Sequence, residues 1–224
     1  MTGVAIEISS SQGGVALLRG DGPVREEIFP SHRNHACEIF PALERLGVEP
    51  KNTDFWAVGL GPGSFTGIRA ALASLKGLNL PFQKPVYGLN SHDILAGEMA
   101  ATGKITAPTL AVLSDARRGE FYVTAYAWLE GELTKVNDTA ILAPSQLPRK
   151  FFGSTQIVGP DLEPSREVLM TALPRAHWTD EICFPTASRT LRMAHKLRLH
   201  GNAPAETLEP IYLRDMQYVK CVVR

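Results

Sequence analysis

The residue types with the best claim to chemistry stand in one run, Gly61-Pro62-Gly63-Ser64-Phe65-Thr66-Gly67-Ile68-Arg69. It follows the apolar stretch Phe55–Leu60 and precedes a segment with helical spacing. Gly61 and Gly63 permit backbone conformations with φ > 0, and Pro62 stiffens the turn between them. Ser64 or Thr66 can cap the first N–H groups of a helix. Such an elbow can cradle a phosphate, because a helix N-terminus presents free donors and the positive end of its dipole. It can equally be a structural turn or a contact surface. Neither standard phosphate pattern is matched: a Walker loop ends in Gly-Lys-Ser/Thr, whereas Gly67 leads into Ile68-Arg69. The dinucleotide pattern GxGxxG is here GxGxxxG. Nor is Ser64 a nucleophile elbow, since Gly63 adjoins it directly.

Other reactive side chains form no convincing constellation. His32 and His35 lie near Glu38, but their spacing does not put two ligands on one helix face. His92-Asp93 belongs to another segment, and His177, His195 and His200 have polar or basic neighbours that suit a surface. Cys37 adjoins the acidic Glu38, an unfavourable neighbour for a reactive thiolate, and Cys37, Cys183 and Cys221 lack CxxC spacing. They read as reduced thiols, with no metal expected. Asp115–Glu120 (DARRGE) reads as a charged hairpin with Gly119 at positive φ. Glu7 is less ordinary. It stands among Val4, Ala5, Ile6 and Ile8, where a carboxyl needs a partner if its face is buried.

The elements that must hold these residues follow from periodicity. Val4–Ser9, Val15–Arg19 and Val24–Phe29 read as three strands joined by short turns. Ala36, Ile39, Phe40, Leu43 and Leu46 form a helical stripe closed by Gly47, and Phe55–Leu60 reads as a buried strand. A helix from about Gly67 to Leu80 is stopped by Pro81, Val86–Leu89 is a strand, and Ser91 can cap the helix holding Ile94, Leu95 and Met99. The helix after the elbow carries Ala70, Ala71, Ala73, Ser74 and Gly77, a small-residue stripe that suits close packing on its own sheet or against another helix. Ala101–Pro108 is the expected boundary, giving an N-terminal unit 1–104 and a C-terminal unit 105–224. The second unit opens with strands at Thr109–Ser114, Glu120–Leu129 and Leu133–Leu142 and continues with a strand at Gln156–Gly159. Helices follow at Arg166–Leu173 and Ala187–Leu199, then a tail, Leu208–Arg224, ending VKCVVR. The opening hairpins predict an α/β fold with mixed sheets, not a doubly wound parallel one.

Bulk composition narrows the function classes. Lys plus Arg and Asp plus Glu are equal at 23 each, so no global charge draws the chain to nucleic acid or an anionic membrane. With 44% hydrophobic and 21% charged residues the chain is an ordinary globular one. The N-terminus lacks the basic lead and apolar core of a secretory signal, and no apolar run approaches the ~20 residues of a membrane span. A cytoplasmic location is expected.

Several blocks together resemble the TsaB/YeaZ family: AIEISSSQGGVALL (Ala5–Leu18), His35-x-x-Glu38-x-x-Pro41, GPGSFTGIR with its continuation to Leu78, VYGLNSHDILA, DARRGEFYVTAY (Asp115–Tyr126) and PIYLRD (Pro210–Asp215). The resemblance implies an actin-like (ASKHA) fold of two lobes, each built on an RNase H-like sheet flanked by helices. It implies a partner subunit, without catalysis of its own, for a TsaD-like transferase and a TsaE-like ATPase. Together these install N6-threonylcarbamoyl on adenosine 37 of tRNAs reading ANN codons, with tRNA reached through the complex. It also implies a homodimer through the N-terminal helices, with His35, Ile39, Leu43, Gly67, Arg69, Ala70, Ala73, Ser74 and Gly77 at the interface. ATP or ADP at a subunit interface would meet a loop of Glu7, Ser9, Gly61, Gly63, Ser64 and Thr66. The family pattern Asp-Thr-Ser at the end of the first strand is here Glu7-Ile8-Ser9, and Ala36 follows His35 where relatives have Ser or Thr. The HxxxH metal motif of the catalytic relative is absent. The competing class is an actin-like ATPase or a glycoprotease-type peptidase.

Overall fold

Three strands joined by short turns open the chain, as the alternation predicts. In the computed structural model, which describes residues 1–30, 35–151, 154–179 and 181–213 (backbone alone for His35, Ala36 and Lys150), β1 (Thr2–Glu7) pairs antiparallel with β2 (Gln12–Arg19). β3 (Arg25–Pro30) pairs antiparallel with β2. α1 (His35–Arg45) carries the chain to β4 (Phe55–Gly59), which joins β1 in parallel. α2 (Phe65–Asn79) leads to β5 (Val86–Leu89), parallel to β4, and α3 (Ser91–Ala101) follows. The strand order is β3-β2-β1-β4-β5.

The same plan then recurs. β6 (Thr109–Asp115) and β7 (Phe121–Leu129) form an antiparallel hairpin, and β8 (Glu132–Lys135) and β9 (Ala140–Leu142) both pair with β7. A short α4 (Leu147–Lys150) precedes β10 (Thr155–Val158), which is parallel to β6. α5 (Arg166–Ala172), β11 (His177–Trp178, parallel to β10) and α6 (Ala187–Leu199) complete the chain's elements. The order β11-β10-β6-β7-β8, read from its far edge, repeats that of the first sheet. The fold is therefore the two-lobed α/β arrangement with a mixed, RNase H-like sheet in each lobe.

Helix exchange joins the lobes. One face of the first sheet (Val4, Ile6, Val15, Leu17) is covered by Ile39, Ala42 and Leu43 of α1 and Ile68, Leu72 and Leu75 of α2. Its other face is lined by Ala5, Ala16 and Ala57, small enough for a helix to lie close. That helix is α6, which contributes Ala187, Leu191 and Ala194. Conversely, Leu95, Ala96 and Met99 of α3 pack on Leu110, Val112 and Tyr126 of the second sheet. Among the described residues no helix is long and apolar enough to cross a membrane.

Local expectations need four corrections. The strand expected at Leu133–Leu142 is two strands, because Thr139 leaves the ladder and its hydroxyl bonds Thr124 Oγ1 at 2.8 Å. The α2 helix begins at Phe65, ahead of Gly67, because Ser64 caps it by accepting from Gly67 N–H at 3.3 Å. Asn90, not Ser91, caps α3, its side chain accepting from His92 N–H at 2.8 Å. Phe40, placed on the apolar stripe of α1, is 51% exposed. The expected hairpin at Asp115–Glu120 is present, with Gly119 at φ 75°. His32, Cys221 and the tail from Arg214 onward lie outside the described residues.

Because α6 is the second cover of the first sheet, the two lobes should unfold as one unit. Leu191 is fully buried on that face. Leu191→Ala should cost about 2–5 kcal/mol of stability, as for a buried leucine that leaves a cavity. Urea titration followed by far-UV circular dichroism and by tryptophan fluorescence should give coincident, equally shifted transitions. Separate transitions would show that the lobes unfold independently.

Candidate functional site

Glu7 ends β1, and it is 1% exposed. A carboxyl taken out of water must find donors or a proton. Its Oε1 accepts from the backbone N–H of Ser9 at 2.8 Å, and Ser91 Oγ donates to Oε2 at 3.1 Å. Ser91 Oγ in turn accepts from Gly61 N–H at 3.1 Å, while Ser91 N–H donates to the Gly61 carbonyl at 2.7 Å. Ser64 N–H donates to the Ser9 carbonyl at 2.7 Å. The end of β1, the elbow after β4 and the start of α3 are thus tied around one carboxyl group. Desolvation raises the Glu7 pKa, and the hydrogen bonds from Ser9, Ser91 and Ile8 oppose that rise without cancelling it.

Glycine is required where backbones crowd this centre. A Cβ on Gly59 would collide with the Glu7 carboxyl, and one on Gly67 with the Ile8 carbonyl. The elbow is compact for the same reason: Gly63 lies against the Ser9 carbonyl, leaving no room for a Cβ.

The first turn of α3 extends this centre into the second lobe. Asn90 Nδ2 donates to Thr139 Oγ1 at 3.1 Å. The His92 ring, 2% exposed, bonds Thr124 Oγ1 through Nδ1 and Ser114 Oγ through Nε2, each at 2.8 Å. Burial, reinforced by Lys135, pushes the His92 pKa down to about 3, so the imidazole is neutral. Asp93 accepts from Tyr126 O–H at 2.5 Å and pairs with Lys135 Nζ at 3.0 Å. Burial and the Asp93 carboxylate push the Tyr126 hydroxyl well above its ordinary pKa. Asn90, His92 and Asp93 therefore each bond the second lobe, while Ser91 between them holds Glu7 and Gly61 of the first.

Of the residues expected at a phosphate loop, the structure gathers Glu7, Ser9, Gly61, Gly63 and Ser64 around the elbow, with Thr66 exposed on the first turn of α2. The backbone N–H groups of Gly61, Ser64 and Gly67 are all bonded within the chain. Among the described residues no group of three or more His, Cys, Asp or Glu is placed to hold a metal.

The residues expected at an interface divide. Ile39 and Leu43 are a correction: both lie in the chain's own core, 0% and 5% exposed, because α1 needs them to cover the first sheet. Gly67 is also buried, facing Ile8, and Ala70 and Ser74 are half-buried. Arg69, Ala73 and Gly77, at successive i, i+4 positions, are exposed together with Lys76. Leu80, just past the end of α2, is 75% exposed. His35 begins α1, with its side chain outside the described residues.

Sequence reasoning also missed exposed apolar groups. Phe65 is 48% exposed and Tyr212 45% exposed. Phe65 was legible in the elbow itself, as a bulky residue at the first turn of a helix; Tyr212 carried no signal, since its position depends on a chain return.

Comparison with known proteins agrees with this geometry. A family model described as "TsaD: tRNA N6-adenosine threonylcarbamoyltransferase" matches residues 28–158, more than half of the chain. The tRNA threonylcarbamoyladenosine biosynthesis protein TsaB of Escherichia coli (strain K12) is 28% identical over 95% of this chain and 94% of its own length. YeaZ from Pseudomonas aeruginosa superposes with a TM-score of 0.76 at 26% identity, over 95% of this chain and 99% of that one. The chain belongs to the TsaB/YeaZ family. The protein of the same TsaB name from Bacillus subtilis (strain 168) is 32% identical, but that match spans 61% of this chain and 59% of the relative. Within the TsaB/YeaZ frame, Glu7 falls outside the matched family model, which begins in β3.

Glu7 and His92 give this TsaB/YeaZ chain opposite pH dependences. Above about pH 4.5 an unfolded glutamate ionises while buried Glu7 holds its proton, so its contribution is full below that pH and is lost as pH rises through the raised folded value. Below pH 6.5 an unfolded imidazole gains a proton that buried His92 refuses until about 3, so stability falls as pH drops through that window. Each slope is at most about 1.4 kcal/mol per pH unit. In urea titrations from pH 4 to 8, Glu7→Gln should flatten the alkaline limb and His92→Gln the acid limb. An alkaline limb that persists unchanged in Glu7→Gln would mean that Glu7 is ionised in the folded protein.

Proposed function

We propose that this chain works in the biosynthesis of threonylcarbamoyladenosine in tRNA, as a non-catalytic partner subunit that docks a TsaD-type transferase on the outer face of α2. Family membership supplies the pathway, and the transferase then places N6-threonylcarbamoyl on adenosine 37 of ANN-decoding tRNAs. A TsaE-type ATPase joins the same assembly, and the homodimer uses the same face when the transferase is absent. Contact with tRNA runs through the complex, in keeping with a chain whose charges balance. A nucleotide belongs to an assembled interface in this reading, since the elbow's Gly61, Ser64 and Gly67 N–H groups are already engaged.

The observation that carries the docking face is Gly77. It is exposed, and beyond its chain neighbours and its own helix backbone no atom of the described residues lies within 4 Å of where its Cβ would stand. Its own fold does not require glycine there, in the last turn of α2, where glycine still costs helix stability relative to alanine. Close approach by another backbone explains that cost. With exposed Ala73 one turn away, flanked by Arg69, Gly77 makes a shallow seat for a partner helix.

Gly77→Leu should reduce binding to an immobilised TsaD-type subunit at least about tenfold, and Arg69→Glu should do the same, with melting temperature unchanged or, for Gly77→Leu, raised. Sedimentation should show self-association weakened by the same substitutions. Normal transferase binding by both variants would remove α2 as the docking face.

A further inference from the structure

After α6 the chain returns to the first lobe as an extended strap. Ala205 N–H donates to the Val86 carbonyl and Ile211 N–H to the Leu60 carbonyl, each at 2.9 Å. Lys76 Nζ of α2 donates to the Leu208 carbonyl at 3.0 Å, and the Leu208 side chain packs on the first core. The strap thereby brings Tyr212 to the first turns of α2. Arg69 Nε donates to Tyr212 Oη at 2.8 Å. The guanidinium lies over the Phe65 ring, 4.1 Å from its centroid, and 5.8 Å from that of Tyr212, while the two rings are 5.7 Å apart.

An isolated surface arginine samples many rotamers, and a partner must freeze them on binding. Here two aromatic rings and a hydroxyl hold Arg69 in one place, with all three side chains exposed. Arginine and tyrosine in such a cluster are the residue types that dominate binding energy at interfaces. α2 itself contains Arg69 and Lys76 and no Asp or Glu, and since Glu206 and Glu209 of the strap share a groove with Lys76, the basic end of the face is at Arg69. Its electrostatic complement is a carboxylate on the partner's helix.

We propose that Tyr212 is a positioning residue of the docking face, holding Arg69 ready to receive a carboxylate of the TsaD-type partner. This rests on the docking role assigned above to α2. The C-terminal strap is then part of the interaction surface, and residues 143 positions apart in the chain (69 and 212) act as one anchor.

Surface plasmon resonance against a TsaD-type subunit, at two salt concentrations, separates the possibilities. Tyr212→Ala should weaken binding about tenfold and Tyr212→Phe about threefold, because the latter keeps the ring and loses only the acceptor. Arg69→Gln should weaken binding and remove most of its salt dependence. The double variant Tyr212→Ala/Arg69→Gln should be no weaker than Arg69→Gln alone, since the tyrosine acts through the arginine. Additive losses, or unchanged binding by Tyr212→Ala, would overturn the proposal. Gly77→Leu and Arg69→Glu tell the two failures apart: if both bind normally, α2 is not the face, whereas their loss beside normal Tyr212→Ala binding removes only the role of Tyr212.

Discussion

A carboxyl group buried with no cation beside it among the described residues is the constraint around which this chain is arranged. Glu7 is taken from water at the end of β1, and its compensation comes from Ser9 N–H and Ser91 Oγ. Neither donor is optional, because an unmatched buried polar group costs kilocalories. Ser91 must stand at the first turn of α3, so Asn90 takes over the cap. Gly59 must lack a side chain, so β4 can pass beside the carboxyl. The elbow's rigidity is then a consequence: Gly61 and Ser64 are hydrogen-bonded to the same two segments that hold Glu7.

From that centre the organisation of the whole chain follows. Fixing the first turn of α3 also fixes His92 and Asp93, whose partners Ser114, Thr124, Tyr126 and Lys135 belong to the second lobe. The joint is polar and well satisfied, while the exchanged helices on either side are apolar. Directional bonds set the angle between the lobes, and burial of α3 and α6 supplies the cohesion. Charge plays little part at the joint's core, since His92 is held neutral and burial disfavours ionisation of Glu7.

Much of the first lobe was legible because its elements are strongly periodic. The strand-turn-strand opening, the buried FWAVGL strand and the helix after the elbow all stand where spacing put them. The second lobe was harder: β8 and β9 read as one strand because Thr139 leaves the ladder for a side-chain bond to distant partners, and local pattern does not encode that. Residue roles were less legible than elements. Apolar spacing puts Ile39, Phe40 and Leu43 of α1 on one stripe without saying which of them remains for a partner, and in the fold Ile39 and Leu43 are core while Phe40 is exposed. The partner of Glu7 lies 84 residues away at Ser91, and that of Arg69 lies 143 away at Tyr212. Contacts of such separation are made by topology, and single-sequence patterns stop at the element.

The elbow shows how a motif can keep its appearance while its donors serve another end. Glycines, a capping serine and a helix N-terminus are what a phosphate site requires, and all are present at Gly61–Gly67. The N–H groups of Gly61, Ser64 and Gly67, however, are bonded within the chain, to Ser91 Oγ, the Ser9 carbonyl and the Ser64 side chain. What the arrangement delivers is direction. Gly67 seats the helix against the Ile8 carbonyl, which leaves Ala71 and Leu75 buried and turns Ala73 and Gly77 outward. With α6 already covering the opposite side of the sheet, no element of the described chain remains to cover that outer face beyond the strap. A surface held this rigidly loses little entropy on association.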